Sequence, residues 1–349
     1  MDGLDSTIAA ILTLDGVTNG IIYGLIAIAL VLVFAVTRIL FIPQGEFVVF
    51  GTLSLAMLQQ GQIPGPVWLL LLLAVCATVT EVSTQLRSGQ ASRIGVTVLR
   101  NLLLPAAIAG IVCWAAPRQF PILVQVGLTL LLVTAIGPLL YSVVYESLAD
   151  SSVLVLLIVS VGVHLALTGL GLIFFGAEGF RTPVFWDLRQ SFGAVTVSGQ
   201  MLVIMAVALA LIIGLWLFLE RTLYGKALRA TAVNRLGARL MGISTTLAGK
   251  LTFSMAALIG ALSGVLIGPM TTVFYDSGFL IGLKGFVAAT IGGLASFPSA
   301  AIGALFVGLL ESFSSFWASD FKEIIVFMAL LPILLWRSFA MPAHDVDEE

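Results

Sequence analysis

The sequence predicts an all-α polytopic membrane protein, folded as a single transmembrane domain over residues 1–349. Hydrophobic residues make up 60% of the chain and charged residues 10%, whereas an average soluble domain is about 25% charged. The mean hydropathy of +1.14 agrees with this. A soluble fold of this length cannot cover so many apolar side chains with so few charges. Composition therefore excludes a soluble enzyme, a disordered protein and a secreted disulfide scaffold.

About 10 to 11 transmembrane or re-entrant helices are expected, because a helix needs about 20 mostly apolar residues to cross a bilayer. Two of the apolar runs are rich in glycine and carry a charge, Glu46 in 41–60 and Lys284 in 279–297. These two are predicted to be re-entrant or interrupted helices rather than plain spans. The runs, in order, are 17–37, 41–60, 66–86, 97–116, 121–145, 152–175, 200–219, 251–270, 279–297, 299–317 and 322–337.

Lysine and arginine in short loops predict which side of the membrane each loop faces. Residues 221–250 contain no acid and are placed in the cytoplasm; the loop with Arg87, Arg93 and Arg100 fits the same side. Counting spans then puts the amino terminus outside and the carboxyl terminus in the cytoplasm. The acidic turn at 146–150 also falls on the cytoplasmic side, although acids count little in this rule. The bases of the first segment are Arg221, Lys226, Arg229, Arg235, Arg239 and Lys250.

Further classes of function are excluded by what the sequence lacks. The net charge of −2 provides no basic excess for nucleic acid. Cys76 and Cys113 lie inside apolar runs as small core residues and there are two histidines, so neither a disulfide nor a metal site is expected. No G-x-x-x-x-G-K-[ST] motif is present, so ATP-driven transport would require an ATPase on another chain. Serine, histidine and acid residues show no arrangement that suggests nucleophilic catalysis.

The basic segment contains a predicted helix from Lys226 to Met241, because it is rich in Ala, Leu and Arg, and Gly242 stands where a helix stop is expected. Its small residues would let another surface approach closely, and its arginines can meet carboxylates or lipid phosphates. Two interpretations remain open: a juxtamembrane helix on anionic lipid, or a docking helix for a cytoplasmic partner. The small residues are Ala230, Gly237 and Ala238, and the arginines are Arg229, Arg235 and Arg239.

Three segments carry a family resemblance. They are 19–30 (NGIIYGLIAIAL), the stretch from Arg229 to Lys250 with the following run 256–266 (AALIGALSGVL), and 285–303, which begins GFVAATIGGL. In this order they resemble the first helix, the coupling loop with its following helix, and the Gly-Gly segment of branched-chain amino acid ABC transporter permeases, the high-affinity importers of the LivH/LivM type. The resemblance extends over 17–60 and 130–337.

The resemblance implies the ABC importer permease fold with pseudo-symmetric halves, in a bacterial inner (plasma) membrane. It implies a chain that is not an enzyme and binds no cofactor itself. Its partners would be cytoplasmic ABC ATPase subunits that bind ATP and Mg, a second permease (homologous or identical), a periplasmic substrate-binding protein and membrane lipid. Residues 221–249 would form the EAA-like coupling loop. The coupling residues would be Lys226, Arg229, Ala230, Thr231, Ala232, Arg235, Gly237, Ala238, Arg239 and Gly242.

Two features depart from the family pattern. The family usually has Asn-Phe-Ala-His-Gly-Glu after its first helix, whereas residues 41–46 read FIPQGE here. Gly45 and Glu46 are thus kept, and Gln44 replaces the histidine, which puts any charge-dependent role of that histidine in doubt. The second departure is 65–120, where two more apolar segments than expected are interpreted as extra peripheral helices.

The predicted translocation path combines Gln44, Gly45 and Glu46 with Gly292, Gly293 and Ser296. Glu46 would line the path or pair with Arg38; alternatively it is hydrated at the cytoplasmic interface. Gln44 would contact an amino acid or cap the broken helix. The glycines either expose backbone groups to a zwitterion or allow close helix packing. His164 is expected to hydrogen-bond a neighbouring helix rather than substrate.

The resemblance favours an importer in which ATP binding closes the ATPases and pulls on the helix at 226–242, so that access to the path alternates. Its substrate stays open, because the same pattern serves branched-chain amino acids, related amino acids, urea and short amides. An ion-coupled secondary carrier is a second hypothesis, for which Glu46, Glu81 and Glu311 are the candidate carboxylates. A membrane-embedded enzyme is a third and lacks a catalytic constellation.

Overall fold

The structure, a computed structural model, describes residues 2–87, 94–192, 195–294 and 296–340. The regular secondary structure of the described chain is helical apart from one antiparallel hairpin of β1 (Arg189–Phe192) and β2 (Val195–Ser198). The helices are α1 (Asp2–Thr37), α2 (Gln44–Gln59), α3 (Pro66–Arg87), α4 (Ile94–Ala115), α5 (Ile122–Leu140), α6 (Val153–Phe175), α7 (Gly199–Arg221), α8 (Leu223–Val233), α9 (Arg235–Leu240), α10 (Thr245–Ile267), α11 (Ser277–Ile291), α12 (Phe297–Trp317), α13 (Lys322–Met328) and α14 (Leu330–Ala340).

Eight helices within the described ranges are long and apolar enough to cross a membrane, namely α1, α3, α4, α5, α6, α7, α10 and α12. They confirm the all-α polytopic prediction. Helices α2 and α11 have 16 and 15 residues. At 1.5 Å per residue they are about 24 and 22 Å long, shorter than the hydrocarbon core of about 30 Å. Both runs predicted to be interrupted are therefore short helices, whereas the predicted span 322–337 is divided between α13 and α14.

The core of the molecule is formed by α1, α2 and α10. Helix α1 packs antiparallel against α12, and its Gly16 and Gly20 face Leu309 and Leu305 at distances that leave no room for a side chain. Helix α2 is buried along most of its length between α5, α10 and α11. Helices α3 and α4 pack on each other and on α5 at the edge of this core.

The basic segment and the acidic turn lie at the same end of the molecule. Arg235 donates to the carbonyl of Ala149 at 2.6 Å, and Arg239 is 3.4 Å from Asp150. The acidic turn that disagreed with the charge rule thus lies against the basic segment and offsets part of its charge. Of the other loop assigned to this side, residues 88–93, including Arg93, lie outside the described residues.

The amino-terminal part of α1 and the loop before α7 lie at the opposite end. The last turns of α1 pack near Leu219 and Leu228, beside the basic segment, so its first turns are one helix length away. There Ser312 donates to the carbonyl of Leu12. The hairpin loop is tied to the α10–α11 connection at this end, where Arg181 donates two hydrogen bonds to the carbonyl of Pro269.

Candidate functional site

Glu46 lies in a closed cradle formed by α2, α6 and α11. Its side chain is 0% exposed, and its Oε1 atom lies 3.0 Å from His164 Nδ1 and accepts from Thr168 Oγ1 at 3.3 Å. A Cβ atom added at Gly278 of α11 would lie 2.8 Å from Oε1, so only glycine fits beside the carboxylate. The other oxygen, Oε2, has no hydrogen-bond partner among the described residues. An intramembrane carboxylate is thus held by polar groups of a neighbouring helix, as the cost of its burial requires.

This geometry excludes two of the alternatives for Glu46. Its partner is His164 rather than Arg38, whose side chain is exposed and lies over the ring of Phe34. Hydration at an interface is also wrong, because the carboxylate is wholly buried. The predicted hydrogen bond of His164 to a neighbouring helix is confirmed.

Replacing His164 by Ala should lower stability, because it leaves the buried carboxylate of Glu46 without its closest partner. We expect a loss of about 1–3 kcal/mol, measured as a lower unfolding temperature in detergent. Leu165→Ala is the matched control, since Leu165 points outward from the same helix. The double variant Glu46→Gln/His164→Ala should recover part of the loss, because the amide carries no charge. Equal unfolding temperatures for the two His164 variants would contradict this account.

Gln44 begins α2 and is fully buried against α10. Its Nε2 donates to the carbonyl of Ala256 at 2.9 Å, while its Oε1 finds no partner within the described ranges. Gly45 lies directly against the backbone of Gly278 and Gly282, so α2 and α11 touch at this point. Gln44 thus joins α2 to α10, and Gly45 lets α2 approach α11.

The second predicted group forms the turn between α11 and α12. Gly293 has a φ of +80°, in the left-handed region that favours glycine, and Gly292 lies against the backbone of Ala300. Ser299, rather than Ser296, closes the turn by donating to the carbonyl of Gly292 at 2.9 Å. These contacts are those of close packing between α11 and α12.

The structure does not bring the two predicted groups together. Gln44, Gly45 and Glu46 lie beside the first two turns of α11, up to Gly282. Gly292 follows ten residues later, which is about 15 Å along a helix. The six residues therefore do not form one contact site, and their role in a path stays a prediction.

A charged cavity was not predicted from the sequence. It has a volume of about 690 Å³ and lies between α1, α11, α12 and α13, at the end opposite the basic segment. Lys284 Nζ lies 2.6 Å from Glu311 Oε1 and 3.3 Å from Glu323 Oε1. Tyr23 donates its hydroxyl to Glu311 Oε2 at 2.5 Å. The sequence contained one signal for this cluster, since a cation in one apolar run requires an anion from a neighbouring run.

The predicted coupling helix is two helices rather than one. Helix α8 ends at Val233, and Asn234 begins α9 by accepting a hydrogen bond from Gly237 N at 2.7 Å. This is the helix-start geometry that asparagine favours. The predicted stop is confirmed at Gly242, whose φ is +81°.

Three arginines of this segment, Arg229, Arg235 and Arg239, have partners within the chain. Arg229 contacts both oxygens of Glu220, at 2.5 and 3.2 Å, and Arg235 and Arg239 bind the acidic turn as described. Lys250 lies 2.8 Å from Glu81 Oε1 and 3.4 Å from Glu146 Oε2. The bases thus fix α8, α9 and the start of α10 to the membrane helices.

This segment also presents large apolar side chains outward, beside its exposed bases. An open groove of about 590 Å³ runs between α8 and α9, floored by small residues and edged by Val233 and Met241, which are 85% and 83% exposed. The small residues of the floor were predicted from the sequence, whereas the apolar residues at its edges were not. The signal was present, because large apolar residues stand in a segment that is otherwise basic. The floor residues are Ala230, Gly237 and Ala238.

These features define a class of protein. A multi-pass helical membrane protein with short broken helices and opposite charges held at membrane depth has the construction of a transport protein.

Comparison with known proteins gives the family. The family described as "Branched-chain amino acid transport system / permease component" matches residues 91–335, and this match includes α4. It covers more than half of the chain, so the chain belongs to this family of transport permeases, whose members are not enzymes in themselves.

Three relatives illustrate the similarity. The high-affinity branched-chain amino acid transport system permease protein BraD of Pseudomonas aeruginosa is 29% identical over 216 residues, which cover 60% of this chain and 70% of BraD. LivH of Escherichia coli, named in the same way, is 30% identical over 213 residues, or 59% and 69% of the two chains. The probable LivH of Methanocaldococcus jannaschii is 28% identical over 294 residues, or 79% and 89%.

Proposed function

We propose that this chain is the membrane permease subunit of an ATP-driven ABC importer that moves branched-chain or related amino acids into the cytoplasm by alternating access. The observation that carries the proposal is the groove between α8 and α9. It presents apolar side chains outside the membrane helices, on a segment in which Arg229 and Arg239 already contact Glu220 and Asp150. A soluble partner surface would bury those side chains.

The contacts around the groove explain how a partner could drive transport. Ile243 N donates to the carbonyl of Ala238 at 3.0 Å, and Arg239 reaches Thr245 at 3.5 Å, so α9 is joined to the start of α10. Helix α10 in turn packs on α1, α2 and α5. A partner that displaces α9 therefore displaces the helix on which the core is built.

The partners follow from the same proposal. ATPase subunits carrying ATP and Mg would bind α8 and α9, so this end would be cytoplasmic, with the amino terminus outside and the carboxyl terminus inside. A periplasmic substrate-binding protein would bind the opposite end. A second permease, identical or homologous, would complete the path in the bacterial inner membrane.

The names of the relatives support branched-chain amino acids as the substrate. The alternatives are urea or short amides carried by the same kind of permease, or an ion-coupled secondary transporter that uses the buried carboxylates. Each alternative predicts a different requirement for uptake, so one reconstitution separates them.

The test is uptake of labelled leucine into proteoliposomes that contain this chain and the subunits that purify with it. We expect uptake only with enclosed ATP and added binding protein, and inhibition by isoleucine and valine. Glu46→Gln should slow uptake without releasing the ATPase if the carboxylate acts in the path. Uptake by this chain alone, driven by an ion gradient, would overturn the proposal. Uptake of urea but not leucine would show that urea rather than a branched-chain amino acid is the substrate.

A further inference from the structure

We infer that the cavity between α1, α11, α12 and α13 is a binding site for the zwitterionic head of an apolar amino acid. This inference rests on the function proposed above and assigns the substrate contact to a place that the predicted path does not include. The size of the cavity is the first observation that supports it. Its volume of about 690 Å³ lies within the range of about 300–1,000 Å³ that small-molecule sites occupy.

The cavity contains both signs of charge. Lys284 and Glu311 have side chains that are 8% and 12% exposed, and they face each other at 2.6 Å. Asp15, Lys322 and Glu323 also line the cavity. Three carboxylates thus stand against two ammonium groups, which leaves one formal negative charge in excess. The cavity thus offers carboxylates to the ammonium group of a zwitterion and ammonium groups to its carboxylate.

Unused hydrogen-bonding capacity points in the same direction. Glu323 Oε2 is buried and has no hydrogen-bond partner in the described part of the chain. Lys284 uses two of its three N–H groups on Glu311 and Glu323. The site can therefore accept from a ligand ammonium at the glutamates and donate to a ligand carboxylate from Lys284.

The remaining walls suit an apolar side chain. Leu12, Ile267, Leu280 and Phe316 line the cavity beside the charged groups. A bare metal ion fits less well, because no group of three or more His, Cys, Asp or Glu side chains with metal-site geometry occurs among the searched, described residues. The combination of both charges with an aliphatic wall is complementary to an amino acid such as leucine.

The test is ligand-induced stabilisation of the full chain in detergent, with the subunits that accompany it but without binding protein or ATP. L-Leucine should raise the unfolding temperature in a concentration-dependent way, because it binds the folded state. 4-Methylpentanoate, which lacks the ammonium group, and 3-methylbutylamine, which lacks the carboxylate, should need at least a ten-fold higher concentration for the same rise.

Glu311→Gln should weaken the effect of leucine at least ten-fold and remove the discrimination against 4-methylpentanoate. Lys284 keeps Glu323 as a partner in this variant. If Glu311→Gln does not fold, Glu323→Gln serves in its place, because its side chain is 32% exposed. Asp187→Asn is the matched control, since it removes an exposed carboxylate paired only at 3.9 Å with Arg189.

Unchanged leucine stabilisation in both glutamate variants would overturn the inference, as would an equal rise with sodium chloride at the same concentration. Because the measurement needs neither ATP nor uptake, the two proposals fail separately. Stabilisation by leucine without ATP-driven uptake would support the binding site and contradict the proposed importer function. Uptake without stabilisation by leucine would do the reverse.

Discussion

Val233→Lys should abolish association with the ATPase subunits and lower ATP-driven uptake at least ten-fold. Val233 forms an edge of the groove between α8 and α9, and a lysine there would have to lose its hydration when a partner covers it. Burying an unpaired ammonium costs several kcal/mol, and each 1.4 kcal/mol is about a ten-fold change in binding. Helix α8 itself should persist, because a cation at the last residue of a helix is favourable.

Leu223→Asp is the control for this variant. Leu223 is 83% exposed at the first residue of the same helix, and it does not line the groove. An acid at a helix start is also favourable, so both variants keep α8 and differ in where the new charge lies. The measurement is the ATPase-to-permease ratio after affinity purification, together with uptake in proteoliposomes. Intact association in Val233→Lys, or equal loss in both variants, would show that the groove is not the docking surface.

Gly45→Ala should unfold at a distinctly lower temperature than the wild-type chain. A Cβ atom at Gly45 would overlap the carbonyl oxygen of Gly278 and lie 3.0 Å from the amide of Gly282. Both atoms belong to the backbone of α11, so the strain can be relieved only by moving α2 away. Overpacking of this kind costs about 1–3 kcal/mol, and more where backbone is involved.

Gly162→Ala separates this packing effect from a general effect of alanine. A Cβ atom at Gly162 of α6 would meet nothing within 4 Å, and alanine is favoured over glycine in a helix by about 0.5–1 kcal/mol. This control should therefore keep or raise the unfolding temperature in detergent. If Gly45→Ala unfolded like the wild type and lost only uptake, Gly45 would belong to the translocation path rather than to the α2–α11 contact.

Much of the fold could be predicted because crossing a membrane is a local property. The length and composition of each run placed the eight spans and both short helices, and glycine with a buried charge marked α2 and α11. The break at Asn234 was also encoded locally. It was missed because the helix-forming residues on both sides outweighed one capping residue.

The partners of the charged side chains could not be predicted in the same way. Arg239 meets Asp150 and Lys250 meets Glu81, residues that are 89 and 169 positions apart. No sequence pattern relates positions at such separations. The contacts of Arg229 and Arg239 with Glu220 and Asp150 could likewise not be predicted.

The sequence by itself determined the class of protein, the positions of the spans and the segment that carries the basic charge, because each depends on residues adjacent in the chain. Only the tertiary structure decided that the sparse charges meet as Lys284 with Glu311 and Glu46 with His164, and that Val233 is exposed whereas Arg235 donates to a backbone carbonyl. Those outcomes depend on distances between helices. In an apolar medium a charge must find its partner wherever the packing places one.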